Sequence, residues 1–158
     1  MNKEKYTTPD YRPDENTSSE IELLNKQKEN LSNLNLKEAQ LKDIYLVDAL
    51  MENCDLSRTN LQNASMFNAN LSGSNLFKAN LENANLKNAN LENCNLLGAN
   101  LSNAKLKNVY WGKDCKVINE IEAEEAYKNG DIETSKKKYK EAEDVYRTIK
   151  IWIKVSKV

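Results

Sequence analysis

Residues 29–108 read, in fives, ENLSN LNLKE AQLKD IYLVD ALMEN CDLSR TNLQN ASMFN ANLSG SNLFK ANLEN ANLKN ANLEN CNLLG ANLSN AKLKN. The middle residue runs Leu31, Leu36, Leu41, Leu46, Met51, Leu56, Leu61, Met66, Leu71, Leu76, Leu81, Leu86, Leu91, Leu96, Leu101, Leu106, and Trp111 falls in the same register. Sixteen frames without an insertion are an internal repeat, and such a period outranks any local signal. Five suits neither regular element. In an α-helix each Leu would lie about 140° from the last, and the column would smear around the axis. In a single strand, positions five apart point to opposite faces. A chain that turns after every short extended segment does bury the column, because each segment then presents its centre to a common axis.

The residue two before each centre faces the same axis. From 49 to 104 it reads Ala49, Cys54, Thr59, Ala64, Ala69, Ser74, Ala79, Ala84, Ala89, Cys94, Ala99, Ala104, all small, as a narrow interior filled with Leu requires. Larger residues stand only near the ends: Leu34 and Ile44 early, Val109 late. They read as plugs. Glu29 does not suit an interior, which predicts that regular coiling begins nearer Leu34. The core candidates follow: Leu61, Leu71, Leu81, Leu91 and Leu101. Of the chain's 24 Asn, 18 lie between Leu31 and Tyr110, where turn preference and stacking of amides between coils explain them better than ligand recognition.

The frame resembles that of the pentapeptide-repeat family, Ala-(Asp/Asn)-Leu-x-x, from Glu29 to Asn108. The resemblance implies a mainly β solenoid, a right-handed quadrilateral β-helix with four pentads per coil. Four coils at a strand spacing of about 4.8 Å give an axis of roughly 19 Å.

The chain divides into a flexible lead (1–18), a capping helix (19–30), the solenoid (31–112) and a helical extension (113–158). Residues 1–18 hold Pro9, Pro13, charge and little apolar matter. Ser19-Glu20-Ile21-Glu22 has the spacing of a capping box and predicts a short helix that lids the first coil. After Trp111-Gly112-Lys113-Asp114-Cys115 the period stops. Asn119 then caps a helix ending at Asn129-Gly130, and a second helix runs from about Ile132. Ala126-Tyr127, Gly130-Asp131-Ile132-Glu133, Tyr139 and Ala142 resemble one tetratricopeptide-type hairpin. The chain stops at Val158 without a capping signal, as a truncated chain does.

The whole chain of 158 residues carries 23 Lys+Arg against 24 Asp+Glu and no His. That balance gives no strong case for nucleic acid. The lack of His removes Ser-His and Cys-His nucleophile pairs and most catalytic zinc sites. No apolar run reaches the roughly 20 residues that cross a bilayer, and the N-terminus lacks a signal-peptide core. The expectation is a cytoplasmic protein with no membrane partner. Cys54 and Cys94 stand two coils apart, about 9.5 Å by strand spacing, beyond disulfide reach, and read as core fillers. Thr59 and Ser74 point inward and are expected to bond to backbone rather than act as nucleophiles. Cys115, the acidic run Glu120–Glu125 and the basic run Lys136–Lys140 have structural explanations: a junction, a helix N-terminus and a solvated face.

Two outward apolar pairs break the polar pattern and are the interaction candidates on the coils, first Phe77 with Leu97 and then Val47 with Phe67 beside Tyr45, each to be covered either by the chain's own helices or by a docked partner. In the last helix Tyr139, Ala142, Val145, Tyr146, Ile149, Trp152 and Ile153 form one stripe. Ile149, Trp152 and Ile153 lie beyond what the preceding helix of the hairpin could cover, which predicts a homodimer through the C-terminal helix. The functional expectation is a non-enzymatic scaffold or protein–protein interaction module with an unidentified protein partner and no cofactor or metal. The alternative is a DNA-mimicking inhibitor or protector of DNA gyrase or topoisomerase, an activity some members of the family possess. That alternative meets seven basic and seven acidic residues between 31 and 110, a net charge of zero.

Overall fold

The computed structural model describes residues 3–111. The hairpin expected at 120–158, with Cys115, Ile149, Trp152 and Ile153, lies outside the described residues. Parallel bridges join each residue before a centre to the one twenty positions on, from Asn35↔Asp55 to Asn90↔Tyr110, so four pentads close one coil. Among the described residues these bridges stand singly, and no continuous strand forms. The reason is the turn. Every fifth residue from Asn33 to Asn108 has φ between 55° and 71°, which ends each extended segment before it grows.

One pentad illustrates how the backbone is satisfied. In residues 54–58, Asp55 N donates down to Leu34 O (2.9 Å), while Leu56 N and Arg58 N donate up to Asn75 O and Phe77 O (both 2.8 Å). Ser57 N donates to the Asp55 Oδ1 two residues back (3.0 Å), and Cys54 N to Ser74 Oγ (3.0 Å). All five amides are used, as buried backbone demands. Thr59 N closes the turn on Leu56 O (3.2 Å), with Arg58 at φ 58° in its third position, the arrangement of a type II turn.

The Asn excess follows from this geometry. Nine of the 18 Asn occupy the positive-φ position, which Asn tolerates better than most residues. The other nine stand before a centre, where the side chain can accept the amide two residues on, as Asn75 does from Phe77 N (3.2 Å). Their amides also ladder upward: Asn95 Nδ2 donates to Asn75 Oδ1 and Asn100 Nδ2 to Asn80 Oδ1, both at 3.1 Å.

The interior holds the Leu column and the small column. Leu61, Leu71, Leu81 and Leu91 are fully buried, with Ala64, Ala84 and Ala89 beside them. Leu101 differs from expectation and is only partly buried, because it lies in the last described coil, whose upper side no described residue covers. Inward hydroxyls and thiols bond to the carbonyl of a centre in the coil below: Thr59 Oγ1 to Leu36 O, Ser74 Oγ to Met51 O (both 2.8 Å), Cys94 Sγ to Leu71 O (3.0 Å). Cys54 Sγ donates likewise to Leu31 O (3.1 Å), and burial pushes its thiol up to about 11. Coiling starts at Leu31 rather than Leu34: Leu31 is buried and its amide donates to Leu50 O (2.8 Å), while Glu29 stays exposed.

The N-terminus departs from the expected flexible lead. Lys3–Thr7 forms a 3-10 helix, Tyr6 is fully buried, and its carbonyl accepts Asn35 N (2.6 Å), an amide with no coil beneath it. Tyr6 packs edge-on against Tyr11, ring centroids 5.0 Å apart, and its hydroxyl donates to Glu20. The capping helix, α1, spans Thr17–Lys26, and the capping box is not formed. Instead Asp14 Oδ1 accepts from Asn16 N (3.0 Å) and Thr17 Oγ1 (3.1 Å), which starts the helix two residues early. Glu22 then serves the solenoid: its Oε1 accepts Tyr45 N (2.8 Å), and Asn25 Nδ2 donates to Val47 O (3.2 Å). Ile21 and Leu24 plug the end of the core.

Ala84→Leu should overpack the column and lower stability by about 1–3 kcal/mol, against little change for the exposed Lys87→Ala, compared by thermal melting. Asn88, although it points outward in the repeat frame, sits at φ 60° and accepts Asn108 Nδ2 (3.1 Å), so it is no neutral control. Asn83 has φ 58°, and Asn83→Val should cost roughly 1–2 kcal/mol while Asn83→Gly stays close to wild type in denaturant melts. Burial, then the bond to Glu20, raises Tyr6 from 10.0 to about 12. A raised folded value means stability that is complete below pH 10 and lost as pH rises towards 12. The melting temperature of wild type should therefore fall more steeply over that range than that of Tyr6→Phe. Parallel curves would contradict the assignment.

Candidate interaction surface

With the interior filled, any recognition belongs to the outer sides, and three outward positions per pentad define them. On one side, built from 44–48, 64–68, 84–88 and 104–108, the lower half is apolar. Tyr45 is 50% and Phe67 37% exposed, with Val47 half-buried below Phe67, as the Asp48 N to Phe67 O bond (2.9 Å) places it. The upper half carries Lys87, Lys105 and Lys107, all exposed. Leu50, 47% exposed, stands at the start of the adjoining side.

The other expected pair is less open. Phe77 and Leu97 stack one coil apart and are both half-buried. Phe77 lies over Ser57, which it leaves 6% exposed. A Cβ built at Gly98 would lie 3.1 Å from Lys78 Cγ, so the Lys78 stem runs close beneath Gly98, and its Nζ stands 5.1 Å from the Phe77 ring centroid. The lysine charge already stands over the Phe77 half of this surface. The two pairs therefore do not form one site; they lie on different sides of the coil.

Leu50 and Tyr110 were not singled out by sequence reasoning. Both replace the Asn that normally precedes a centre, in the column Leu50–Asn70–Asn90–Tyr110. That replacement was the available signal. At Leu50 the missing acceptor is supplied from the coil below, Glu52 N donating to Ser32 Oγ (3.0 Å). The side of Tyr45 departs from Asn or Asp most often: Tyr45, Ser65 and Lys105 fill three of its four such positions. Among the described residues no three His, Cys, Asp or Glu side chains gather to hold a metal, and no helix is long and apolar enough to cross a membrane.

The model of the pentapeptide repeat region matches residues 47–118. The repeat region belongs to the pentapeptide-repeat family. Among solved structures, the pentapeptide-repeat protein Rfr23 from the cyanobacterium Cyanothece 51142 is 45% identical at a TM-score of 0.54, over 54% of this chain and 58% of that one. HetL, a pentapeptide-repeat protein involved in heterocyst differentiation regulation in Nostoc sp. PCC 7120, is 32% identical over 51% of this chain and 35% of its own, with a TM-score of 0.37. QnrB1, a plasmid-mediated fluoroquinolone resistance protein, is 22% identical over 63% of this chain and 44% of its own, with a TM-score of 0.34. This chain thus spans little more than half the length of Rfr23. No curated protein matches the sequence.

Proposed function

We propose that the chain is a non-enzymatic scaffold, a cytoplasmic protein–protein interaction module that presents a right-handed quadrilateral β-helix to a protein partner. The observation that carries this reading is the exposed Tyr45–Phe67 surface with Leu50 at its edge, on a solenoid whose interior is packed with side chains. Exposed large apolar residues grouped on a rigid surface favour protein docking. The departure of Tyr45 from the Asx rule strengthens the case, since that position forgoes a local backbone acceptor for an aromatic ring. The repeat family supports the same reading in general terms. A homodimer through the C-terminal helix, by way of Ile149, Trp152 and Ile153, belongs to the proposal. DNA mimicry towards a gyrase or topoisomerase fits less well, because residues 31–110 carry no net charge and one side bears three exposed lysines.

The immobilised full chain should retain a host protein at close to one-to-one stoichiometry, and Tyr45→Ser/Leu50→Ser/Phe67→Ser should lose at least tenfold of that retention. All three residues are exposed, so the melting temperature should stay within a few degrees. Equal retention by both proteins would remove this surface from the proposal.

A further inference from the structure

The side that carries Tyr45 and Phe67 changes character halfway up. Lys105 and Lys107 flank the buried Leu106, and Lys87 lies directly beneath Lys107, as the Asn88 N to Lys107 O bond (2.9 Å) fixes. Adjacent coils stand about 4.8 Å apart, so three exposed ammonium groups share a small area. No carboxylate among the described residues forms an ion pair with any of them; the two ion pairs there are Lys5–Glu20 and Arg58–Glu38. The nearest acid on this side is Asp48, two coils below Lys87's own turn residue Asn88, and it accepts Asn68 Nδ2 (2.9 Å). Lys105 also replaces the Asn or Asp that would accept the amide of residue 107. The side therefore concentrates positive charge above an apolar half.

The chain itself contains the complement. Residues 117–127 read Val-Ile-Asn-Glu-Ile-Glu-Ala-Glu-Glu-Ala-Tyr, with Glu120, Glu122, Glu124 and Glu125 and no basic residue. From Trp111, the last described residue, nine residues lead to Glu120, an extended reach of about 30 Å. That exceeds the roughly 19 Å height of four coils. The basic run at 136–140 has the wrong sign for this side. We propose that the acidic segment 117–127 of the same chain docks on the Lys87–Lys105–Lys107 surface, closing the upper half of the side and leaving Tyr45 and Phe67 open below it. This goes beyond the scaffold reading and does not depend on which protein the scaffold binds.

Hydrogen exchange of the full chain, followed by mass spectrometry at low salt, tests the docking through peptides covering 117–127. Three proteins are compared: wild type, Lys87→Glu/Lys105→Glu/Lys107→Glu, and that triple variant combined with Glu120→Lys/Glu122→Lys/Glu124→Lys/Glu125→Lys. Wild-type exchange in 117–127 should be slow at 20 mM salt and at least tenfold faster at about 0.5 M, where the screening length falls to a few ångströms. The lysine-reversed variant should exchange at least tenfold faster even at low salt, and the doubly reversed chain should regain protection. Amides of the central coils, followed in the same spectra, report that the solenoid stays folded. Protection of 117–127 that is unchanged by lysine reversal overturns the proposal, as does its absence in wild type. Protection that disappears on dilution from about 100 μM to 1 μM, alongside a fall in mass by light scattering, assigns the segment to a second copy and overturns the intramolecular docking.

Discussion

A left-handed backbone residue at every fifth position is the constraint on which the rest of the fold depends. It turns the chain after two or three extended residues, too few for a strand but enough to offer hydrogen bonds to the coils above and below. Because the turn recurs with a period that divides the coil of twenty residues, every turn stacks on another turn and every centre on another centre. The Leu column is then a consequence of the turn column. Hydrophobic burial stabilises the coil, but a Leu every fifth residue would have no common axis without the corner that φ near 60° makes. The two kinds of Asn serve this one requirement, one by adopting the corner conformation and the other by occupying the amide that the corner leaves without a backbone partner.

Once that requirement is known, departures from it carry more information than the repeat. Glu38, Arg58 and Lys78 accept the corner conformation without the help of a short amide side chain, and all three make contacts: Arg58 pairs with Glu38 (3.6 Å), and the Lys78 ammonium stands over the Phe77 ring. The exposed Arg58–Glu38 pair adds little stability in water. Lys78 has a clearer role, because Gly98 directly above leaves room for its stem. A Cβ at Gly73 would fall 2.3 Å from Asn53 Oδ1, so there too the glycine makes space for the side chain of the corner below. Glycines in this solenoid therefore mark crossings of side chains between coils as well as corners.

The repeat, its register, the inward small column and the backbone use of Thr59 and Ser74 were legible in the sequence because each is enforced many times over. The ends were not, because each end contact occurs once. Tyr6 sits among Lys3, Glu4, Lys5 and Thr7, a context that reads as solvated lead; only the first coil's need for an acceptor at Asn35 N gives it a partner. Ser19 and Glu22 have the spacing of a capping box, but Glu22 finds a competing donor in Tyr45 N, and the Asp14–Thr17 pair starts the helix earlier. A local motif lost to a tertiary contact that no window of sequence contains. The surface was half legible for the same reason. Phe77 and Leu97 look like a patch when columns are drawn from the period, yet the lysine over Phe77 comes from the adjacent corner, and its stem lies against a glycine one coil higher.

Charge gives the clearest case of information that averages hide. Between 31 and 110 seven bases oppose seven acids, which argues against any long-range field. The coil sorts them by side. Lys87, Lys105 and Lys107 share a side with one acid, Asp48, whereas Glu52 and Glu92 lie on the next side, with no base between 49–53, 69–73 and 89–93. A period of twenty makes this sorting automatic, since a charge repeated in register returns to the same side one rung higher. Fields from such stripes extend about one Debye length, roughly 8–10 Å in physiological salt, which is shorter than the path around the coil to the opposite stripe. A docking segment therefore meets the charge of one side and not the neutral sum, so a solenoid of zero net charge retains electrostatic selectivity.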